Sequence, residues 1–246
     1  MNTSRNYNIE AQDVSSHKYA YGFDLDVIHK YMLKSFIPFF KDGNILELGS
    51  YKGDFTARLI EHFDKVVCIE VASEVAEEAK LRLGSRVEMI VSTFNDAVLD
   101  TKYDNIILTH VLEHIDDPVD VLNKINDEWL DDTGRLFLVC PNANAASRQI
   151  AVKMGLITHP EAITTAELSH GHKRTYTLNT LERDVTMSGL KVIHRSGIFF
   201  KALASYQLDK VIENNIISTE YLEGCYQLGQ QYPDLCSSIF LVCERG

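Results

Sequence analysis

A short apolar run that ends in glycine, followed at once by helical spacing, constrains the fold more than any other feature of the chain. The run Asn44-Ile-Leu-Glu-Leu-Gly49 has the length of a buried strand, and apolar side chains then recur at helical intervals from residue 54 to residue 63. The same alternation repeats along the chain. It predicts an α/β fold, in which a mostly parallel sheet is covered by helices on both faces.

The alternation divides the chain into regular elements and two long segments between them. Strands are predicted over residues 44–49, 66–70, 87–91, 105–109, 135–140, 190–200 and 238–242. Helices are predicted over 54–63, 73–83 and 177–188, and a further helix begins where Asp117 precedes Pro118. Residues 142–176 and 202–234 exceed usual loop lengths, so we expect lids or oligomer contacts there. The whole chain, 1–246, is predicted to be one domain, divided into an N-terminal helical cap (1–42), a core (43–200) and a helical insertion with the last strand (201–246).

Charge and cysteine content exclude several kinds of partner. Lys and Arg total 24 against 35 Asp and Glu, which gives a formal net charge of −11. This balance predicts no nucleic-acid partner and no membrane attachment, because both need clustered cations. No apolar run reaches the ~18 residues of a membrane-spanning helix, and the polar N-terminus lacks the apolar stretch of a signal peptide. Five cysteines without a CxxC pair complete the prediction of a cytoplasmic chain, whose oligomeric state the sequence leaves open.

The turn after the first strand indicates the kind of ligand. Its glycines are spaced Gly49-x-x-x-Gly53, which differs from the G-x-G-x-x-G of dinucleotide folds. Glu47, two residues before the first glycine, would repel a pyrophosphate but could pair with an ammonium group. Glu70, at the end of the second strand, suits hydrogen bonding to ribose hydroxyls, although nicotinamide-dependent enzymes share that feature.

Several segments, taken in order, resemble the class I S-adenosylmethionine-dependent methyltransferases. The turn Glu47-Leu-Gly-Ser-Tyr-Lys-Gly53 is similar to the first motif of that family, with Tyr51 in place of the middle glycine. Glu70 matches the acid that ends the second strand, and Val91-Ser-Thr-Phe94 matches the segment that contacts adenine. The strongest match is Ile106-Ile-Leu-Thr-His-Val-Leu-Glu-His-Ile-Asp-Asp-Pro118.

The resemblance implies a fold, a cofactor and a set of binding residues. The fold is a Rossmann-like seven-stranded methyltransferase sheet, with strand order 3-2-1-4-5-7-6 and an antiparallel seventh strand. The cofactor is S-adenosyl-L-methionine. The residues expected to bind it are Glu47, Gly49, Ser50, Gly53, Glu70, Thr93, Phe94 and His110.

The resemblance also places histidines beside the acceptor. His172, in the run His172-Lys-Arg-Thr-Tyr-Thr177, is the preferred general base or acceptor contact, and His170 is the second candidate. The expected reaction is methyl transfer to a hydroxyl or amine of a small molecule. Segment 142–176 holds four basic and two acidic residues, which favours an anionic acceptor. Resemblance to bacterial surface-polysaccharide methyltransferases favours a sugar or nucleotide-linked sugar.

Three alternatives stay open at this point. A nicotinamide-dependent oxidoreductase could share the sheet and Glu70, and a non-catalytic protein could bind S-adenosylmethionine without turnover. His110-Val-Leu-Glu113-His114 also spells H-x-x-E-H, a zinc-hydrolase signature. We predict no metal site, because a strand precedes this segment and the next helix starts too late to hold both histidines. Some quinone-pathway O-methyltransferases of the resembled family bind a divalent cation here, which leaves a metal role for Glu113 and His114 as an alternative.

Overall fold

The computed structural model describes residues 5–12 and 20–246, and its strands form one mixed sheet. The strands are β1 (Ile45–Leu48), β2 (Val66–Glu70), β3 (Val87–Val91), β4 (Tyr103–Thr109), β5 (Leu130–Pro141), β6 (Lys191–Phe200) and β7 (Cys236–Glu244). The sheet order is β3-β2-β1-β4-β5-β7-β6, with β7 antiparallel to both neighbours. The predicted fold class, strand order and antiparallel last strand are therefore confirmed.

Helices cover both faces of this sheet. They are α1 (Tyr7–Glu10), α2 (His29–Phe36), α3 (Thr56–Leu59), α4 (Ser73–Leu83), α5 (Pro118–Lys124), α6 (Ala146–Lys153), α7 (Thr165–Ser169), α8 (Leu178–Met187), α9 (Ser205–Glu213) and α10 (Thr219–Gln231). Asp117 caps α5 by accepting a hydrogen bond from the amide of Asp120, as its position before Pro118 predicts.

The α-helix predicted over 54–63 is shorter than expected. Regular α-helix spans only Thr56–Leu59, and turns continue the segment, with the amide of Phe63 donating to the carbonyl of Leu59. Phe55, Leu59 and Phe63 are nevertheless all buried. The helical spacing thus predicted correctly which face of the segment is buried. A short helix followed by turns buries that face as well as a continuous helix would.

Alternation along each strand separates two cores. Leu46 and Leu48 of β1 face one core, which α5 and α8 complete, whereas Ile45 faces the other. The second core is rich in aromatic rings, and the Phe36 ring centroid lies 5.7, 5.1 and 5.0 Å from those of Phe55, Phe137 and Phe240. Two buried faces explain why the strands are continuous apolar runs.

The two long segments outside the sheet form further helices. Helices α6 and α7 belong to segment 142–176, predicted to be a lid or an oligomer contact and called the lid segment below, and α9 and α10 lie in segment 202–234. Near the N-terminus, Asn8 accepts a hydrogen bond from the amide of Glu74, at the start of α4. Residues 1–4 and 13–19 of the predicted cap lie outside the described residues. Across residues 5–12 and 20–246, no helix combines the length and the hydropathy needed to span a bilayer.

Candidate active site

A cavity of about 940 Å³ opens above the carboxyl ends of the parallel strands. Its floor is formed by the turns that follow β1, β2, β3 and β4, and its outer walls come from α1, α6 and the start of α9. The sheet order reverses between β1 and β4, which is where open α/β sheets bind their ligands. Among the predicted site residues, the cavity is lined by Glu47, Gly49, Ser50, Glu70, Thr93, Phe94, His110, His170 and His172.

The turn after β1 depends on its glycines for two different reasons. Gly49 has φ +77°, and a methyl group added there would overlap the side chain of Val111. Gly53 has φ +78°, and a methyl group there would come within 2.7 Å of Leu83 on α4. Gly53 does not line the cavity. Gly49 therefore exposes backbone to the ligand, while Gly53 allows the turn to pack closely on α4.

The contacts of Tyr51 explain how the turn tolerates a side chain at the position where the related motif has glycine. It adopts φ +48°, a left-handed conformation that is unfavourable for most residues. Its amide donates to Glu70 Oε2 over 2.8 Å, and its hydroxyl donates to the carbonyl of Ala11 over 3.1 Å. Contacts at both ends of the residue thus hold it in this conformation.

Glu47 is a buried carboxylate at the base of the cavity. Only 2% of its surface is exposed, and Oε2 accepts hydrogen bonds from Thr56 Oγ1 over 2.5 Å and from Cys68 Sγ over 3.7 Å. Burial raises the pKa of Glu47 to about 7, against the opposing effect of these hydrogen bonds. A cation in the cavity would favour the ionised form of this carboxyl.

Glu70 faces the cavity from the end of β2. Its Oε2 accepts from the amide of Tyr51, and its Oε1 accepts from the amide of Ala72 over 2.9 Å. Burial raises the pKa of this carboxyl, while the backbone amides oppose the rise. Because a carboxylate oxygen can accept more than one hydrogen bond, both oxygens keep capacity for a ligand's hydroxyl groups.

Thr93, Phe94 and Ser50 occupy three other parts of the wall. Thr93 Oγ1 donates to Asp96 Oδ2 over 2.6 Å, and Phe94 packs against the core beneath α5. Ser50 is buried, and apart from a weak interaction with the Cys68 thiol its Oγ has no hydrogen-bond partner among the described residues. A ligand with a polar atom near Ser50 would satisfy that hydroxyl.

His110 lies where β4 ends and adopts φ +55°. Its Nε2 lies 3.3 Å from Ser238 Oγ, and its Nδ1 lies 3.8 Å from Glu113 Oε1. Burial, and then the charges of His172 and Lys201, lower the pKa of His110 to about 4. The imidazole is therefore neutral at pH 7 and can accept a hydrogen bond.

His170 and His172 reach the cavity from the lid segment. His170 is buried, and its Nδ1 lies 3.4 Å from the carbonyl oxygen of Glu10. The His172 ring lies 4.5 Å from that of His114, edge to face. Burial lowers the pKa of His172 to about 4, although Glu167 acts in the opposite direction. Both predicted acceptor histidines thus share one wall.

Two of the four basic residues of the lid segment form ion pairs. Arg148 pairs with Glu167 over 2.5 Å, and Lys173 pairs with Asp116 over 3.0 Å. Of the four, only Arg148 lines the cavity, so the positive excess counted along residues 142–176 faces the cavity only through a paired guanidinium, which weakens one of the arguments for an anionic acceptor.

Several wall residues were not identified from the sequence. Arg5 pairs with Glu10 over 2.6 Å and donates from Nη1 to the carbonyl of His114 over 2.7 Å. His29 lines the cavity from α2, and burial lowers its pKa to about 3. Lys201 donates to Ser205 Oγ over 2.7 Å. Of these residues, only His29 had a recognisable signal in the sequence, namely a histidine within an apolar helical segment.

Comparisons with known proteins agree with this architecture. A family model described as "Methyltransferase domain" matches residues 20–195. No curated protein sequence matches the chain.

Among solved structures, similar folds occur in three methyltransferases of low sequence identity. An S-adenosylmethionine-dependent methyltransferase from Mesorhizobium loti superposes with a TM-score of 0.62 at 13% identity, covering 90% of this chain and 100% of that one. The glycopeptide N-methyltransferase MtfA, complexed with S-adenosylmethionine, gives 0.58 at 13%, over 89% and 87% of the two chains. The plantazolicin methyltransferase BamL gives 0.58 at 14%, over 96% and 94%.

Proposed function

The chain belongs to the methyltransferase-domain family and has the fold of class I S-adenosylmethionine-dependent methyltransferases; from that premise we propose that it transfers a methyl group to a hydroxyl or amine of a small molecule. S-adenosylmethionine is the expected cofactor. When bound, it supplies a methyl group on a positively charged sulfur, which passes to the acceptor by in-line displacement.

The observation that carries the proposal is the pair of buried carboxylates on either side of the Gly49 turn. Glu47 lies at the end of β1 and Glu70 at the end of β2, and both line the cavity. Glu47 suits an ammonium group, because a nearby cation would compensate for the burial of its charge. Glu70 suits two vicinal hydroxyls, since both of its oxygens are oriented by backbone amides.

The other residues proposed to bind the cofactor would contact its adenine ring and its sulfur atom. Thr93 and Phe94 follow β3, the neighbour of β2 in the sheet, and line the cavity beside Glu70, where an adenine ring would follow the ribose. His110, beside the end of β4, would adjoin the sulfur and the acceptor. These assignments extend the motif resemblance, and the shared cavity supports them.

Acceptor activation is assigned to the histidines of the opposite wall. Deprotonating a hydroxyl or an ammonium in the transition state helps its attack on the methyl group by about 10²–10⁴-fold. His172, with His170 behind it, is the proposed base or acceptor contact. Burial lowers its pKa to about 4, so the imidazole is neutral at pH 7 and can accept a hydrogen bond from the acceptor, although it is a weaker base than an ordinary histidine.

We propose that the acceptor is a sugar or a nucleotide-linked sugar, which carries both hydroxyls and anionic groups. Lys201 is the wall cation that would meet the anionic part, because its ammonium hydrogen bonds to Ser205 rather than directly to a carboxylate. The five cysteines are free, which supports the proposal that the protein is located in the cytoplasm, where thiols are kept reduced.

Calorimetric titration with S-adenosylhomocysteine tests the proposal, with NADH as the control ligand. We expect S-adenosylhomocysteine to bind and NADH not to bind, and Glu70→Ala to weaken the binding. Glu77→Ala is the matched control, because Glu77 is an exposed glutamate on α4, the helix that follows β2. Binding of NADH alone would favour an oxidoreductase. Cofactor binding without turnover on any acceptor would favour a non-catalytic binding protein.

A further inference from the structure

Helix α6 turns an apolar face toward the cavity, and all of its residues remain at least partly exposed. From this face we propose that the acceptor is amphipathic: its sugar part meets the histidines, and an aliphatic chain attached to it lies along α6. The inference rests on the function proposed above and adds to it a second chemical part of the acceptor.

The apolar face follows helical spacing. Residues three and four positions apart line the cavity from one side of the helix, namely Ser147, Ile150, Ala151 and Met154. Leu156, just beyond the helix, lines the cavity as well. Ile150, Met154 and Leu156 are 43%, 66% and 68% exposed. A surface helix normally buries such a face against the core, whereas α6 leaves it open to the cavity.

The grouping of these side chains on one wall points to a ligand. A single exposed apolar residue is ordinary, but neighbouring ones that line a cavity mark a surface that a ligand removes from water. Leu168 provides the contrast, because it is 65% exposed in the same lid segment and does not line the cavity. The large side chains of the face are aliphatic, and the flexible Met154 can adapt its shape, which suits an aliphatic chain.

Helix α6 is tied to the proposed acceptor histidine. Arg148 of α6 pairs with Glu167 over 2.5 Å, and the carbonyl of Glu167 accepts a hydrogen bond from the amide of His172 over 3.0 Å. At the start of the helix, the amide of Ser147 donates to the carbonyl of Lys201 over 3.2 Å. The N-terminal end of α6 is therefore anchored to Lys201, the cation proposed to meet the anionic part of the acceptor.

The polar and apolar parts of this wall follow one another along the helix. Ser147 lies at the end beside Lys201, and Met154 lies at the other end, about 10 Å away along the helix axis. That length is comparable with an extended octyl chain. The cavity volume of about 940 Å³ is near the upper end of the range for small-molecule sites, so a chain can be held in addition to the cofactor.

The test is calorimetric titration of the full chain, in the presence of S-adenosylhomocysteine, with methyl, butyl, hexyl and octyl β-D-glucoside below their micelle-forming concentrations. We expect affinity to rise with chain length, by up to about fourfold for each methylene group. Met154→Gln and Leu156→Gln should each flatten this rise. Leu168→Gln is the matched control and should retain it, because the same residue type is equally exposed away from the cavity.

Thermal unfolding shows whether each variant is folded, and S-adenosylhomocysteine affinity separates this proposal from the function on which it rests. Affinity that does not rise with chain length, or that rises equally in the wild type and both folded cavity variants, would overturn the amphipathic acceptor and leave the methyltransferase proposal intact. A protein that binds the octyl chain through Leu156 but binds no S-adenosylhomocysteine would overturn the assignment of the chain to an acceptor.

A second copy of the chain or a lipid bilayer could instead cover the same face. Light scattering tests for the former, and sedimentation with vesicles of phosphatidylcholine and phosphatidylglycerol tests for the latter. Self-association or vesicle binding that Leu156→Gln abolishes and Leu168→Gln retains would overturn the proposal, because the face would then have another occupant. A wild type that stays monomeric and in the supernatant would support it.

Discussion

The carboxylate of Glu70 and the backbone amide of Tyr51 are joined by a hydrogen bond of 2.8 Å. Glu70 ends β2, and Tyr51 lies in the left-handed part of the turn that follows β1. The side chain proposed to hold the ribose therefore also fixes the turn proposed to receive the rest of the cofactor. Binding and local backbone geometry depend on the same carboxylate.

Glu70→Gln should weaken both properties together. The amide group presents an N–H₂ to one of the two backbone amides, and an unsatisfied buried group of this kind costs about 1–3 kcal/mol. We expect a loss of that size in the free energy of unfolding, measured in urea, and weaker binding of S-adenosylhomocysteine. Glu77→Gln on α4 should change neither. Unchanged affinity in folded Glu70→Gln would count against a role for Glu70 in cofactor binding.

Gly49→Ala should be much more destabilising than the same change at another glycine of similar backbone conformation. Gly155 has φ +73° and open space where an alanine methyl group would lie, so its substitution should cost about 1–2 kcal/mol for the conformation alone. At Gly49 the overlap with Val111 adds about 1–3 kcal/mol.

The double variant Gly49→Ala, Val111→Ala isolates that overlap. Removing the Val111 methyl groups should restore part of the stability lost in Gly49→Ala, as measured by urea unfolding. An additive double variant would mean that the overlap is relieved in some other way and that backbone conformation accounts for the whole effect.

Stability should fall as the pH rises through the titration of Glu47. The unfolded carboxyl ionises near its usual pKa of 4.5, whereas the buried one ionises only at about 7. Between these values the unfolded state binds fewer protons than the folded state, so the free energy of unfolding decreases with pH. The effect is on the order of 3 kcal/mol at most.

Glu47→Gln should remove this dependence, because the amide does not titrate. Urea unfolding at about pH 5 and about pH 7.5 checks the expectation, and the variant should gain stability relative to the wild type across that interval. A parallel pH dependence in both proteins would mean that Glu47 is ionised throughout and that other groups carry the effect.

His172→Ala should slow turnover and leave cofactor affinity close to that of the wild type. His172 lies on the acceptor wall, and losing a general base typically costs about 10²–10⁴-fold in rate. Steady-state kinetics and calorimetry with S-adenosylhomocysteine measure the two quantities separately, with His159→Ala as control. Equal losses in both would make His172 a support of the fold or of the cofactor half.

The inner strands of the sheet could be predicted from the sequence because they are buried on both faces. The apolar run of β2 has sharp ends, and the predicted bounds of β2 and of the edge strand β3 both agree with the structure. The strand order could not be worked out from these runs. It followed from the motif resemblance, since order depends on which strands pair across long stretches of chain.

Most of the residues proposed to bind the cofactor could be placed beside the cavity from the sequence, because they follow strand ends. On the opposite wall the sequence pointed to His170 and His172 but not to Arg5 or Lys201. Arg5 reaches His114 from 109 residues away, and Lys201 enters beside the start of α9. Counting charge along residues 142–176 could not show that Lys173 pairs with Asp116, which lies outside that segment. Contacts between distant segments carry no local pattern in the sequence.

The outer walls of the cavity, which we propose face the acceptor, are contributed by α1, α6 and the start of α9, none of which belongs to the sheet. Substitutions in α6 and α9 can therefore accumulate without disturbing the strands or the turn at Gly49, whereas the end of α1 is tied to that turn through Ala11 and Tyr51. The molecule separates a part whose geometry restricts substitution from a part that is freer to vary. New acceptor preferences can arise in such an architecture while the means of delivering the methyl group is kept.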